Sequence, residues 1–279
     1  MKFTVLTLFP EILRAYFSSS IMAKAVEKGL IAYDLVNIRD FAFDNHKTCD
    51  DKPYGGGAGQ LLLAEPLGLA LDSVKSYKKH VIYVTPSAKL FTQQKARELS
   101  KKEEIVLVCG RYEGIDQRII DLFVDEEISV GDYVMSSGEV AATVIIDTVY
   151  RLVDDVIKRE SLSEESFSAG LLEYPQYTRP ANYRGLEVPS VLTEGNHELI
   201  RKWRLKKSLQ KTLACRADLI AKAESQGELS DEAVKMIEEL NEQIKLKHAR
   251  SKKRRLICSD SEDFESVAKE NGEKTYGSY

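Results

Sequence analysis

The stretch VIYVTPSAKLFTQQKARELSKKEEIVLVCGRYEGID, residues 81–116, decides the fold. Val81–Pro86 and Glu104–Gly110 are short, apolar and β-branched, the reading of strands buried on both faces. Residues 91–101 between them, and 116–124 after them, carry helical patterns. Two buried strands joined through a helix specify a parallel pair. Working outward, KFTVLTLF (2–9) reads as a strand, Pro10–Lys28 as a helix and IAYDLVNI (31–38) as a strand. Pro66–Tyr77 reads as a helix, EEISVG (126–131) as a short strand and residues 139–153 as a long apolar helix. The alternation predicts an α/β fold with a mostly parallel sheet covered on both faces.

The composition changes near residue 154. DDVIKRESLSEESFS (154–168) is polar and Ser-rich and reads as an interdomain linker. The Pro-, Tyr- and Gly-rich run 171–197 reads as a long ordered loop, and residues from about 196 to 247 are helical and charged. We therefore expect an α/β domain over 1–155, a linker over 156–168 and a small, mostly helical domain over 169–247. Residues 248–279 read as a charged, disordered tail.

The 279 residues are 43% hydrophobic and 30% charged, which excludes disorder throughout. No apolar run approaches the roughly 18–20 residues of a membrane span. The opening MKFTVLTLFPEIL meets an acid at Glu11 and reads as a strand, not a signal peptide. Cys49, Cys109, Cys215 and Cys258 lie far apart with no CxxC, which points to reduced thiols in the cytoplasm and away from zinc or a disulfide framework. The histidines, His46, His80, His197 and His248, lack ligand spacing. The net charge of −4 hides segregation: Glu198–Arg216 holds seven Lys or Arg and one acid, and Lys245–Arg255 holds seven and none. A polyanionic partner is compatible with this pattern, as is a solvated helical face.

Four loops carry the candidate chemistry. DDKPYGGGAGQ (50–60) is neither GxGxxG nor GxxxxGK[ST], which removes the usual dinucleotide and P-loop readings. Its glycines give a backbone that something bulky can approach, or simply a surface turn. CGRYEGID (109–116) and SVGDYVMSSGE (129–139) each leave a strand, as does the end of VIYVTP, where ligands of parallel sheets bind. Asp116 also suits a helix N-cap. No GxSxG occurs, so a serine-hydrolase elbow is not supported.

YGGGAG, CGRYEGID, VGDYVMSSGE, LLEYPQYTRP and GNHELIRKWR occur in this order. Together they closely resemble the bacterial tRNA (guanine-37-N1)-methyltransferase family, knotted enzymes of the SPOUT class, over roughly residues 1–225. The resemblance implies a deep trefoil knot in the α/β domain, which periodicity could not show. It implies S-adenosylmethionine bound in the knot by Tyr83, Val84, Thr85 and Pro86, by Gly110, Arg111, Tyr112 and Glu113, and by Val130, Gly131, Asp132, Tyr133, Val134, Met135, Ser137 and Gly138. It implies a homodimer with shared active sites and the tRNA anticodon stem-loop as partner, with neither DNA nor a membrane involved.

For that reaction the proton on guanine N1 must be removed and charge moving toward O6 stabilised, which calls for a carboxylate and a cation. The family's Asp in a pattern like EDSF matches Glu165 of EESF (164–167), with Glu164 as the alternative, and its charge-stabilising Arg matches Arg151. A linker carboxylate in water and a surface Arg pairing Asp147 are the plainer readings of these residues. Asp50, Gly55, Gly56 and Gly57 match the loop around the target guanosine, and Arg201 and Arg204 fall in the basic helix expected at phosphates. Trp203 reads as a base-stacking residue or as core of the small domain. The family uses magnesium, for which Glu113 is the carboxylate at hand. Ser137 stands where the family has Gly, Ala141 where it has Pro and Gln60 where it has Met; a side chain at 137 is expected to crowd the methionine end of the cofactor. The rival reading is a knotted RNA-binding protein with weakened or lost catalysis.

Overall fold

The computed structural model describes residues 1–158, 166–167 and 170–246. The chain divides into two compact units, Met1–Arg159 and Glu160–Tyr279.

In the first unit, five parallel strands lie in the order β2-β1-β6-β5-β7. They are β1 (Lys2–Thr7), β2 (Ala32–Asn37), β5 (His80–Leu90), β6 (Glu104–Cys109) and β7 (Glu126–Ser129). A two-stranded hairpin, β3 (Asp50–Asp51) and β4 (Leu61–Leu62), stands apart from that sheet. Side chains alternate between faces with period two. Phe3, Val5, Ile82, Val84, Ile105 and Leu107 point to one face, where α1 (Pro10–Phe17), α2 (Ser20–Glu27), α4 (Gln93–Leu99) and α6 (Gly138–Tyr150) cover them. Leu6, Val81, Tyr83, Val106 and Val108 point to the other, under α3 (Ala64–Ser73) and α5 (Gln117–Phe123). Both faces of the sheet are therefore dry, the reason its strands read as continuous apolar runs.

Two elements depart from the sequence reading. The helix expected over Pro10–Lys28 is broken in two: the Ser18 and Ser19 hydroxyls donate to the Arg14 and Ala15 carbonyls, and Ser20 takes a φ of 53°. Short hydroxyl side chains offer the backbone an alternative to the next helical turn. The strand expected to end at Pro86 instead continues to Leu90. Val84 and Lys89 both oppose Ile128 of β7, so Thr85–Ala88 bulge out of the ladder. Pro86 has no N–H to give a ladder, and a bulge is where a strand tolerates it.

The second unit is built on a thinner core of Leu209, Ile220, Ala233, Ile237 and Leu240. These come from helices His197–Cys215, Ala217–Gln226 and residues 231–246. The Asn196 side chain accepts from the Leu199 N–H and starts the first helix; Gly227, at φ 67°, ends the second. The run 171–197 contains a small hairpin, Asn182–Tyr183 with Leu186–Glu187, turned through Arg184 and Gly185, both at positive φ. Among the described residues no helix is long and apolar enough to cross a membrane.

Candidate active site

The C-terminal ends of three neighbouring strands, β6, β5 and β7, open into one cleft of about 350 Å³. That volume lies in the range of small-molecule sites. The bulge of β5 gives it Thr85, Pro86 and Ser87, beside Tyr83 and Val84 from the strand. The turn after β6 gives Gly110, Arg111, Tyr112, Glu113 and Gly114. The end of β7 and the loop after it give Ser129, Val130, Gly131, Tyr133, Val134, Met135, Ser136, Ser137 and Gly138, and Ala141 of α6 closes the cleft.

Glycines let these loops meet. A Cβ on Gly138 would lie 2.7 Å from the Gly110 nitrogen and 2.8 Å from its oxygen, so the two backbones touch where any other residue would hold them apart. The Gly138 N–H donates to the Gly110 carbonyl at 3.1 Å. Tyr83 packs in the same way: a Cβ on Gly110 would come within 2.9 Å of its phenol oxygen. Burial pushes the Tyr83 phenol above its usual pKa, so it stays protonated.

Beneath the cleft sits a buried carboxylate, Glu139, 1% exposed. The Thr7 hydroxyl donates to its Oε1 at 2.6 Å and the Ser137 hydroxyl to its Oε2 at 2.5 Å. Ser137 lines the cleft with its hydroxyl tied to Glu139. Arg111 lies 3.8 Å from the same Oε2, donates to the Ser136 carbonyl at 3.1 Å and covers the Phe9 ring at 4.5 Å.

The glycine-rich stretch joins this cleft. It is the loop of the β3–β4 hairpin, and the Glu113 N–H donates to the Gln60 carbonyl while the Leu62 N–H donates to the Gly114 carbonyl. The Glu113 side chain occupies the space that a side chain on Gly59 would need. Gly55, Gly56 and Gly57 have open space around them but φ values of 87°, 76° and 128°, so their need for glycine is conformational. Asp50, in β3, is half-buried at the base of the same hairpin.

Of the other expected residues, Asp132 leaves the cleft and Asp116 takes its expected place as a helix cap. Asp132 is exposed and does not line the cleft. Asp116 caps α5, accepting from the Arg118 N–H at 2.9 Å, and hydrogen bonds from the Arg118 side chain hold its carboxyl below the usual range. Arg151 follows the last turn of α6 and is half-buried, and Asp147 accepts from the Tyr16 hydroxyl. Arg201 is engaged within its own unit by Glu198 and Glu232, and Arg204 lies over the Tyr174 ring at 4.8 Å. Trp203 is half-buried beside Tyr177, ring centres 6.2 Å apart. Glu164 and Glu165 lie outside the described residues.

Ser87, Gly114 and Ser129 also line the cleft and were not expected there, and Ser136 lines it within the expected loop. Ser87 depends on the bulge past Pro86. Ser129 carried a signal, a small polar residue ending an apolar strand; its hydroxyl accepts from the Gly131 N–H and donates to the Gly131 carbonyl.

The model of the family described as tRNA (Guanine-1)-methyltransferase TrmD matches residues 1–222. The chain belongs to this family. It is 67% identical over 239 residues to the tRNA (guanine-N(1)-)-methyltransferase of Treponema denticola, covering 86% of this chain and 98% of that protein. It is 56% identical over 244 residues to the protein of that name from Treponema pallidum, covering 88% and 98%. The corresponding protein of Borreliella burgdorferi is 58% identical over 224 residues, covering 80% and 94%. Membership of a tRNA (guanine-1)-methyltransferase family implies the use of S-adenosylmethionine, against which the cleft can be compared. Its lining fits: Val130, Met135 and Ala141 offer apolar contact, and the close backbones at Gly110 and Gly138 expose peptide groups to a polar ligand. Magnesium is different. Among the described residues no group of three or more His, Cys, Asp or Glu converges, and Glu113 is the carboxylate that lines the cleft.

Proposed function

We propose that this chain methylates N1 of guanosine 37 in tRNAs with a guanosine before it, taking the methyl group from S-adenosylmethionine, and so helps maintain the reading frame. The observation that carries the reading is the single cleft formed by three strand-end loops, inside the residues that the family model matches. S-Adenosylmethionine, when bound, supplies an electrophilic methyl group on a sulfonium. The chain's own residues supply the rest.

The target base leaves its stack to reach the cleft. Gln60 and Leu62, at the end of the loop that carries Gly55–Gly57, are hydrogen-bonded to the cleft wall at Glu113 and Gly114, which supports a role for that loop and for Asp50 in holding that base and the one before it. The Glu165 carboxylate takes the N1 proton, and the Arg151 guanidinium opposes the charge that moves to O6. Lys202, Lys206, Lys207 and Lys211 of the helix His197–Cys215 meet phosphates of the anticodon stem. Arg201 and Arg204 keep a part in RNA binding only alongside their contacts within the unit. The protein acts in the cytoplasm as a homodimer with shared active sites. Ile12 of α1 and Val140 and Val144 of α6 support a second copy: they are 42%, 48% and 43% exposed, on two helices packed together.

Labelled methyl transfer to two tRNA transcripts, one with guanosine 37 and one with adenosine there, tests the proposal. Label on the guanosine transcript alone, recovered as 1-methylguanosine, is expected. Label on both, or on neither while tRNA still binds, counts against it.

A further inference from the structure

Glu139 is a carboxylate almost wholly removed from water, and each of its oxygens has one short donor: Thr7 for Oε1 and Ser137 for Oε2. Its place in the first turn of α6 adds the favourable end of the helix dipole. The Thr7 oxygen in turn accepts from the Phe9 N–H at 2.9 Å, so the Oε1 side is anchored to the end of β1. The Oε2 side is contested. Arg111 Nη1 stands 3.8 Å away, within reach for ion pairing but too far for a hydrogen bond, and its short bond goes to the Ser136 carbonyl at 3.1 Å. The guanidinium is braced on its other side by the Phe9 ring. Arg111 and residues 135–138 line the cleft; Glu139 does not.

We infer that Ser137 is a positioning residue that decides which acceptor Arg111 takes. With its hydroxyl on Glu139, the carboxylate is satisfied and Arg111 is left to hold the Ser136 carbonyl, tying the loop after β6 to the loop after β7 across the cleft. Remove the hydroxyl and Oε2 becomes a buried oxygen acceptor without a short donor, which is expensive. A shift of roughly 1 Å brings Nη1 to hydrogen-bond distance. Arg111 then leaves Ser136, and the loop that forms one wall of the cleft loses its tie. This inference rests on the cofactor reading above for its effect on binding, but not for the exchange of acceptors.

The test uses the full chain with Ser137→Gly, Ser137→Ala and Ser137→Thr. Crystal structures of the Gly and Ala variants are expected to show Arg111 on Glu139 and off the Ser136 carbonyl. Calorimetric titration with S-adenosylmethionine is expected to give a Kd about tenfold weaker for Ser137→Ala, as for a lost hydrogen bond to a charged group, and near wild type for Ser137→Thr, which keeps the hydroxyl. KM for the cofactor rises likewise, while kcat at saturation stays within about twofold, a split that general loosening would not produce. Arg111 unmoved in both variant structures overturns the inference, as does a Ser137→Ala Kd within about twofold of wild type beside a wild type that binds. If the wild type itself binds no S-adenosylmethionine, the proposed function fails, and the position of Arg111 in the variants still decides this inference.

Discussion

The two units use their residues in opposite ways. Met1–Arg159 buries both faces of a parallel sheet and builds its cleft from backbone, at places such as Gly110 and Gly138 where no side chain fits. Glu160–Tyr279 holds its described helices on a small core and shows a basic surface on His197–Cys215. The first unit is suited to a ligand recognised by shape and peptide groups, and the second to one recognised by charge. A cleft of that kind is sensitive to single atoms and indifferent to salt; a basic helix is the reverse.

The largest effect that can break this comparison lies in the linker between the two. Glu165→Gln is expected to lower single-turnover methyl transfer by about 10³-fold while S-adenosylmethionine still binds, since general bases contribute about 10²–10⁴-fold. Full activity in that variant, with Glu164→Gln inactive, would move the role to Glu164. Next is Arg151→Ala, expected to lower kcat by about 10²-fold, as for loss of a charge-stabilising donor, with tRNA affinity little changed. A pure binding defect would remove Arg151 from the chemistry.

Within the first unit, two glycines sharpen the contrast. Gly138→Ala forces a methyl into the Gly110 backbone, and overpacking of about 1–3 kcal/mol is expected to weaken S-adenosylmethionine binding by about 10–100-fold. Gly56→Ala meets no atom within 4 Å and strains only its own loop, at a φ of 76°, so cofactor affinity is expected to stay within about twofold in the same titration. For the second unit, tRNA affinity is expected to fall steeply with salt, and Lys202→Ala, Lys206→Ala and Lys211→Ala combined to flatten that dependence. Cofactor affinity shows no such slope. The smallest effect is acidic. Hydrogen bonds from Arg201 lower the Glu198 pKa from 4.5 to about 2. A depressed folded-state pKa stabilises fully above the unfolded value, and that contribution fades as pH falls from about 4.5 to 2. Because the pair is exposed, the shift in the acid unfolding curve on Glu198→Gln is expected to be slight.

The difference between the units also governs what could be read beforehand. Buried parallel strands announce themselves, so β1, β2, β6 and β7 were legible within a residue or two. The order β2-β1-β6-β5-β7 was not, because it depends on packing between segments far apart in the chain. Nor was the continuation of β5 to Leu90, since Pro86 reads locally as a strand end while β7 recovers the ladder beyond it. The loop glycines of the cleft were legible because a strand end followed by glycine has few other uses. Asp132 shared their motif, yet the structure turns it to solvent. The engagement of Arg201 was half legible: Glu198 stands three residues before it, but Glu232 arrives from another helix. The Thr7–Glu139 contact joins residues 132 positions apart and left no trace in either motif.

A structure of the chain with S-adenosylmethionine bound tests the central claim most directly. The account predicts the ligand in the cleft among Thr85–Ser87, Gly110–Glu113 and Val130–Gly138, in contact with the backbone at Gly110 and Gly138. Ligand density elsewhere, or an empty cleft at saturating concentration, would contradict it.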